Sequence, residues 1–236
     1  MPVFRLSDDH LFPPPHMAEE GLLAVGGDLT PERLIAAYRC GVFPWYGEGD
    51  PILWWSPDPR MVLLPQEIHV ARRLRRTLRQ GKFQVTADTA FDEVIAQCAA
   101  MPRPGQAGTW ILPEMIRAYT QLHQRGYAHS VECWHENTLV GGLYGVSVGG
   151  AFFAESMYSK ERDASKAALV ALARYCRRNR YVFIDCQMPT DHLARMGARP
   201  LSRPTFLRML QHAIAQPGVR APWRMDNRLF SEQIEI

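Results

Sequence analysis

The sequence predicts an α+β protein in two parts: a small N-terminal domain (residues 1–60) and a larger one (61–236) built on a mixed sheet flanked by helices. Two observations carry this. Beyond residue 82, the hydrophobic patterns succeed one another as strand, two helices, three strands, helix, strand and helix. Before it, residues 41–60 read G-V-F-P-W-Y-G-E-G-D-P-I-L-W-W-S-P-D-P-R, with three tryptophans, a Phe and a Tyr among four prolines. A segment so stiffened forms neither a continuous helix nor a central strand, so it marks a break in the architecture. With 47% hydrophobic and 22% charged residues over 236 positions, the chain has ample material for a buried core.

Taken in order, Thr30-Pro31 opens a short helix with Leu34, Ile35 and Tyr38 facing inward and Gly41 as its stop. The proline-rich segment then follows as a rigid, aromatic-walled loop. Such a wall suits gripping a flat group such as a nucleobase; the alternative is that Trp54 and Trp55 plug a seam between domains. Next, H-V-A-R-R-L-R-R-T-L-R-Q-G reads as a helix with Val70, Leu74 and Leu78 inside and Gly81 ending it. Its Arg72, Arg76 and Arg79 share one exposed face, flanked by Arg73 and Arg75, and no acidic residue occurs between 68 and 87. Like charges at helical spacing repel one another, and a phosphate backbone relieves that repulsion. A merely solvated face is the alternative.

A strand at 83–87 and helices at 89–99 and 113–125 come next, the helices separated by a Pro/Gly loop at 101–109. Three strands at 128–134, 138–148 and 151–158 are punctuated by Glu136-Asn137 and Gly149-Gly150. The G-G-L-Y-G at Gly141–Gly145 falls inside the middle strand and points to a bulge or a close backbone approach. A helix at 164–178, a strand at 181–187 and a helix ending near Gly197 complete the pattern. This order resembles the core of the acetyltransferase-like (GNAT-type) fold. In that fold glycines before the helix hold the pyrophosphate of coenzyme A; here the stretch is S-K-E-R-D-A-S, which disfavours acetyl-CoA. The chain carries neither a P-loop nor a G-x-G-x-x-G.

Composition excludes other classes. No apolar run approaches the length of a membrane span, and M-P-V-F-R-L-S-D-D-H lacks the basic-then-apolar pattern of a signal peptide. The five cysteines are odd in number and scattered, which favours reduced thiols in a cytoplasm. Neither they nor the eight histidines show ligand spacing, so no metal is expected.

The strongest chemical signal is F-I-D-C-Q at 183–187. An Asp in an apolar strand is costly unless paired or hydrogen-bonded. Strand alternation predicts Phe183, Asp185 and Gln187 on one face, with Ile184 and Cys186 turned into the core. Glu155, in A-F-F-A-E-S-M-Y, is a second acid in an aromatic strand. Two acids in one pocket attract a cationic substrate; the alternative is that each is neutralised by one of the arginines. Cys186 lacks a histidine placed by strand geometry and reads as a small core residue rather than a nucleophile.

These segments together resemble the leucyl/phenylalanyl-tRNA–protein transferase family along nearly the whole chain. The resemblance rests on L-L-A-V-G-G-D-L-T-P-E-R-L, G-V-F-P-W-Y, P-I-L-W-W-S-P-D-P-R, G-T-W-I, G-G-L-Y-G-V, E-S-M-Y-S, A-S-K-A-A-L and F-I-D-C-Q, in that order. It implies an enzyme that moves Leu or Phe, and less often Met, from aminoacyl-tRNA to proteins with N-terminal Arg or Lys, marking them for degradation, with no cofactor. It implies that Asp185 and Gln187 are the catalytic pair, with Glu155 and Asp185 beside the acceptor. Trp45 and Trp110 would lie near the terminal adenosine, and Arg72, Arg76 and Arg79 would bind tRNA. Leu143, Phe152, Met157, Leu169 and Ile184 would line the aminoacyl pocket. An aminoacyl ester is already activated, so the chemistry asks chiefly for alignment and for removal of a proton from the attacking amine. Gln187, polarised by Asp185, and a ribose hydroxyl of the tRNA are both open as the group that meets that proton. An N-acetyltransferase and a non-catalytic RNA-binding module are the rival readings. The glycine-free turn disfavours the first and the buried acids the second. The basic residues Arg220, Arg224 and Arg228 receive no role.

Overall fold

The computed structural model describes residues 3–101, 109–219 and 221–231. Arg220, Gly108 of the G-T-W-I segment and the interior of the 101–109 loop lie outside the described residues. The chain begins with β1 (Phe4–Arg5), β2 (Leu22–Val25), α1 (Pro31–Cys40), β3 (Phe43–Pro44) and β4 (Leu53–Trp55). The four strands form a small sheet in the order β1-β2-β4-β3. The proline-rich segment is therefore a hairpin and not a bare loop. Pro44 is tolerated because β3 is an edge strand and needs no donor on its outer side. The Thr30 side chain caps α1 and Gly41 ends it in the left-handed conformation, φ 79°.

At β5 (Arg60–Leu63) the chain changes sheet. It continues through α2 (Arg72–Arg79), β6 (Gln84–Ala87), α3 (Phe91–Ala100), α4 (Pro113–Gln124), β7 (Ala128–His135), β8 (Thr138–Val148), β9 (Ala151–Ser159) and α5 (Ala164–Arg178). β10 (Phe183–Gln187), α6 (Asp191–Arg195), β11 (Arg199–Leu201), α7 (Arg203–Ile214) and α8 (Arg228–Ser231) complete it. The second sheet has the order β11-β5-β10-β9-β8-β7-β6, antiparallel throughout except for the parallel pair β9–β10. The antiparallel meander, crossover helix α5 and parallel strand reproduce the element order read from the sequence. β5, β11 and β2, each four residues or fewer, are too short to show a period and were not anticipated.

The large sheet has a core on each face. Leu143, Phe152 and Ile184 pack with the buried stripe of α5, including Ala168, Leu169 and Leu172. Tyr144, Phe153 and Phe183 face the other way, against Tyr38 of α1, Tyr119 of α4 and Phe206 of α7. That second core also holds Trp54 and Leu23, so the small sheet and the large one share an interior. Trp54 is fully buried and donates its indole N–H to the Gly26 carbonyl at 2.8 Å, which makes it the seam-plugging residue of the aromatic segment. Gly145 is required by close approach: a Cβ there would stand 2.2 Å from the Phe153 carbonyl oxygen.

Candidate active site

Alternation breaks at two neighbouring places, and the site lies between them. In β9, Ala154 pairs with Gly145 and Ser156 with Tyr144, leaving Glu155 as the extra residue of a bulge. In β10, Asp185 pairs with Val62 and Gln187 with Met61, leaving Cys186 extra. The parallel pairing of the two strands stops at Asp185–Phe153, although both strands continue. Beyond that point a cavity of about 500 Å³ opens. Phe43, Pro44, Trp45 and Trp110 form an aromatic wall, and Met157, Leu169, Leu193 and Met188 an apolar one. Glu155 and Gln187 reach it between them.

The polar side chains form one chain of hydrogen bonds. Gln187 Nε2 donates to Glu155 Oε1 at 2.7 Å, and Tyr119 OH donates to Glu155 Oε2 at 3.0 Å. The Tyr38 hydroxyl stands 2.5 Å from that of Tyr119. Burial pushes the Glu155 carboxyl up to about 7, although the two tyrosine hydroxyls pull it down. Tyr38 and Tyr119 are themselves raised, by burial first and then by the nearby Glu155, and so stay protonated donors.

Asp185 departs from the sequence expectation. It is fully buried on the Phe183 side of β10 and does not line the cavity. Its Oδ1 and Oδ2 take Arg60 Nε at 2.9 and 3.1 Å, Oδ2 takes Arg60 Nη2 at 2.6 Å, and Oδ1 accepts the backbone N–H of Gln187 at 2.9 Å. Buried and held by three N–H donors, the carboxylate is not presented to a substrate. Cys186 is buried in the α5-side core with Ile184 as expected, and it also lines the cavity, because the cavity opens on that side. Burial raises its thiol well above the ordinary value, so it holds its proton and is a poor nucleophile.

Of the five residues expected around an aminoacyl group, Met157 and Leu169 line the cavity. Leu143, Phe152 and Ile184 are fully buried in the core behind them. Trp45 and Trp110 stand on the cavity wall; Trp55 buttresses Trp45, its indole N–H donating to the Trp45 carbonyl at 2.6 Å. Arg72, Arg76 and Arg79 lie together with Arg75 along one groove of α2, away from the cavity. Sequence reasoning missed His192, Thr190 and Arg60. His192 lines the cavity with its pKa lowered by burial, then by Lys166 and Arg195. It follows the strand by five residues, beyond what strand geometry predicts. Among the described residues no group of three or more His, Cys, Asp and Glu is placed to hold a metal, and no helix is long and apolar enough to cross a membrane.

An apolar cleft beside a carboxylate and a primary amide, with no glycine turn before α5, can hold an apolar group next to a polar reacting centre, as a transferase of apolar acyl groups requires. Residues 62–211 match the family described as leucyl/phenylalanyl-tRNA protein transferase, and residues 27–58 match its N-terminal domain. A leucyl/phenylalanyl-tRNA–protein transferase of Anaeromyxobacter sp. (strain Fw109-5) is 55% identical over 227 residues, 96% of this chain and 97% of that protein. One of Myxococcus xanthus (strain DK1622) is 55% identical over 226 residues, 94% of this chain and 97% of that protein. Among solved structures, a GCN5-related N-acetyltransferase-like protein from Streptococcus suis aligns with a TM-score of 0.34 at 12% identity, covering 69% of this chain and 60% of that one. The chain belongs to the leucyl/phenylalanyl-tRNA–protein transferase family, and is thereby an aminoacyltransferase.

Proposed function

We propose that this enzyme takes Leu or Phe, and less often Met, from tRNA and joins it to the α-amino group of proteins that begin with Arg or Lys. The observation that carries the reading is the fixed Gln187 amide. Ionised Glu155 can only accept, so the amide nitrogen turns to it and the Gln187 carbonyl oxygen is left for the cavity. An amine attacking an ester needs such an acceptor for its proton-bearing side. Gln187 orients the amine, and alignment of amine and ester is the larger part of the rate, up to roughly 7–11 kcal/mol in favourable cases. Glu155, ionised above about pH 7, supplies the negative charge that a cationic N-terminal residue meets.

The leucyl or phenylalanyl side chain fits against Met157 and Leu169, and the terminal adenosine against Trp45 and Trp110. Arg72, Arg76 and Arg79 hold phosphates of the tRNA, well placed because they are exposed on one helix face. Asp185 serves through Gln187, whose backbone N–H it holds, and not by touching the acceptor. The same reading divides the chain near residue 60, supported by the change of sheet at Arg60, and places the enzyme in the cytoplasm, where charged tRNA is found. Its products would carry N-terminal residues that mark them for degradation. The test is transfer from charged tRNA to peptides beginning with Arg, Lys or Glu, without added metal or coenzyme A. Transfer to Arg and Lys peptides with the Glu peptide ignored is expected; equal transfer to all three would sink the role given to Glu155.

A further inference from the structure

Arg60 lies next to the site without lining its cavity. It is 0% exposed, and its guanidinium lies between two rings, 4.6 Å from the centroid of Phe43 and 4.7 Å from that of Phe206. Its edge grips both oxygens of Asp185, whose Oδ1 in turn holds the Gln187 N–H. Gln187 sits at φ +60°, a conformation that a residue other than glycine keeps only where its surroundings fix it. The hydrogen bond from its own N–H to Asp185 is that fixing contact. Phe43, stacked on the same guanidinium, lines the cavity beside Trp45.

We propose that Arg60 is a positioning residue for aminoacyl transfer: by locking Asp185 it fixes the backbone of Gln187, and so the direction in which the Gln187 carbonyl oxygen meets the acceptor amine. A purely structural role explains the arrangement poorly. β5 and β10 are already joined by their backbone ladder from Met61 to Leu63. Replacing a buried ion pair by apolar groups of similar size is commonly neutral or stabilising, so stability alone gives no reason to keep one. The rigid fork of an arginine, by contrast, sets the plane of a carboxylate, and its faces stack on aromatic rings; a lysine does neither. The guanidinium thus ties the aromatic wall, through Phe43, to the polar one, through Asp185.

The inference rests on the reading that Gln187 meets the amine, and the experiment separates the two. Arg60→Lys, Arg60→Met with Asp185→Ala together, and Gln187→Ala are compared by single-turnover transfer at saturating charged tRNA, with the acceptor peptide varied and thermal melts recorded. Arg60→Lys is expected to lower the limiting rate by roughly 10²-fold, the penalty typical of a misplaced group. Charged-tRNA affinity and acceptor half-saturation should stay within about twofold, since neither ligand touches Arg60. The double variant leaves no unpaired buried charge, so it folds even where Arg60→Lys does not, and it should be as slow as Arg60→Lys or slower. A folded Arg60→Lys or double variant that transfers at the parent's rate overturns the proposal if Gln187→Ala is slow. A fast Gln187→Ala overturns the reading beneath it.

Discussion

The packed layer behind the cavity and the basic face of α2 use the same kind of side chain under opposite conditions. Arg60 is wholly out of water, held by three hydrogen bonds and two rings. Arg72, Arg76 and Arg79 are exposed, with no described carboxylate in ion-pair range. In the first case desolvation makes the charge usable only with a partner fixed in geometry, so it serves orientation. In the second, water and salt screen the charge, so it serves attraction over a broad surface and tolerates imprecision. On the proposed reading, recruitment of a polyanion and alignment of reacting atoms fall to different regions, and the two should fail differently.

The sharpest way to break the comparison is Asp185→Ala. It strands the Arg60 charge, which should destabilise the fold by about 3–5 kcal/mol, read as a lowered denaturation midpoint. It should also cut transfer by orders of magnitude in the fraction that stays folded. A variant of unchanged stability would mean that water reaches Arg60 and that its surroundings are less closed than its full burial indicates.

Next in size is Glu155→Gln. In the parent, protonation of Glu155 as pH falls through about 7 removes the negative charge, so half-saturation by an Arg-initiated peptide should rise on the acid side. The sign follows from the raised pKa: the neutral form is favoured below it and the charged form above it. The variant should bind weakly at every pH and lose that dependence. A retained acid limb would assign it to another group.

The α2 face should give a smaller, graded effect. Each Ala substitution at Arg72, Arg76 or Arg79 should weaken all cognate tRNAs alike and lower the salt slope by roughly 0.7–0.9, as one phosphate contact is lost. A triple variant with an unchanged slope would reduce the face to solvated charge.

Smaller still, Met157→Ala should shift the Leu-to-Phe preference by a factor consistent with about 1–3 kcal/mol, because apolar shape discriminates weakly. tRNA affinity should be unaffected. An unaltered ratio would move the aminoacyl group away from this wall.

The α2 face was legible in sequence because it depends on one period: Leu74 and Leu78 recur inside and the arginines follow outside. The meander and α5 were legible for the same reason; the strand 138–148 and the helix 164–178 fall where their patterns and turn residues place them. The cavity was legible in membership more than in arrangement. Glu155, Gln187, Met157, Leu169, Trp45 and Trp110 meet there. Asp185 and Cys186 do face opposite ways, as the alternation argument has it, but it is the Cys186 face that meets the cavity. That argument presumed that the cavity opens on the Asp185 face of β10, and two bulges on neighbouring strands change where the polar side chains emerge. A bulge adds one residue without any compositional mark, so nothing in F-I-D-C-Q announces it.

The sequence by itself determined the family, through motifs that need only be present in order, and the regular elements, through periods that are local. Tertiary structure alone decided what the buried charges do. Arg60 stands 125 residues from Asp185, and Glu155 32 residues from Gln187. Their pairing depends on which strands lie side by side, where their ladder stops and how much water is shut out, and these are properties of the packed sheet that no stretch of chain carries alone.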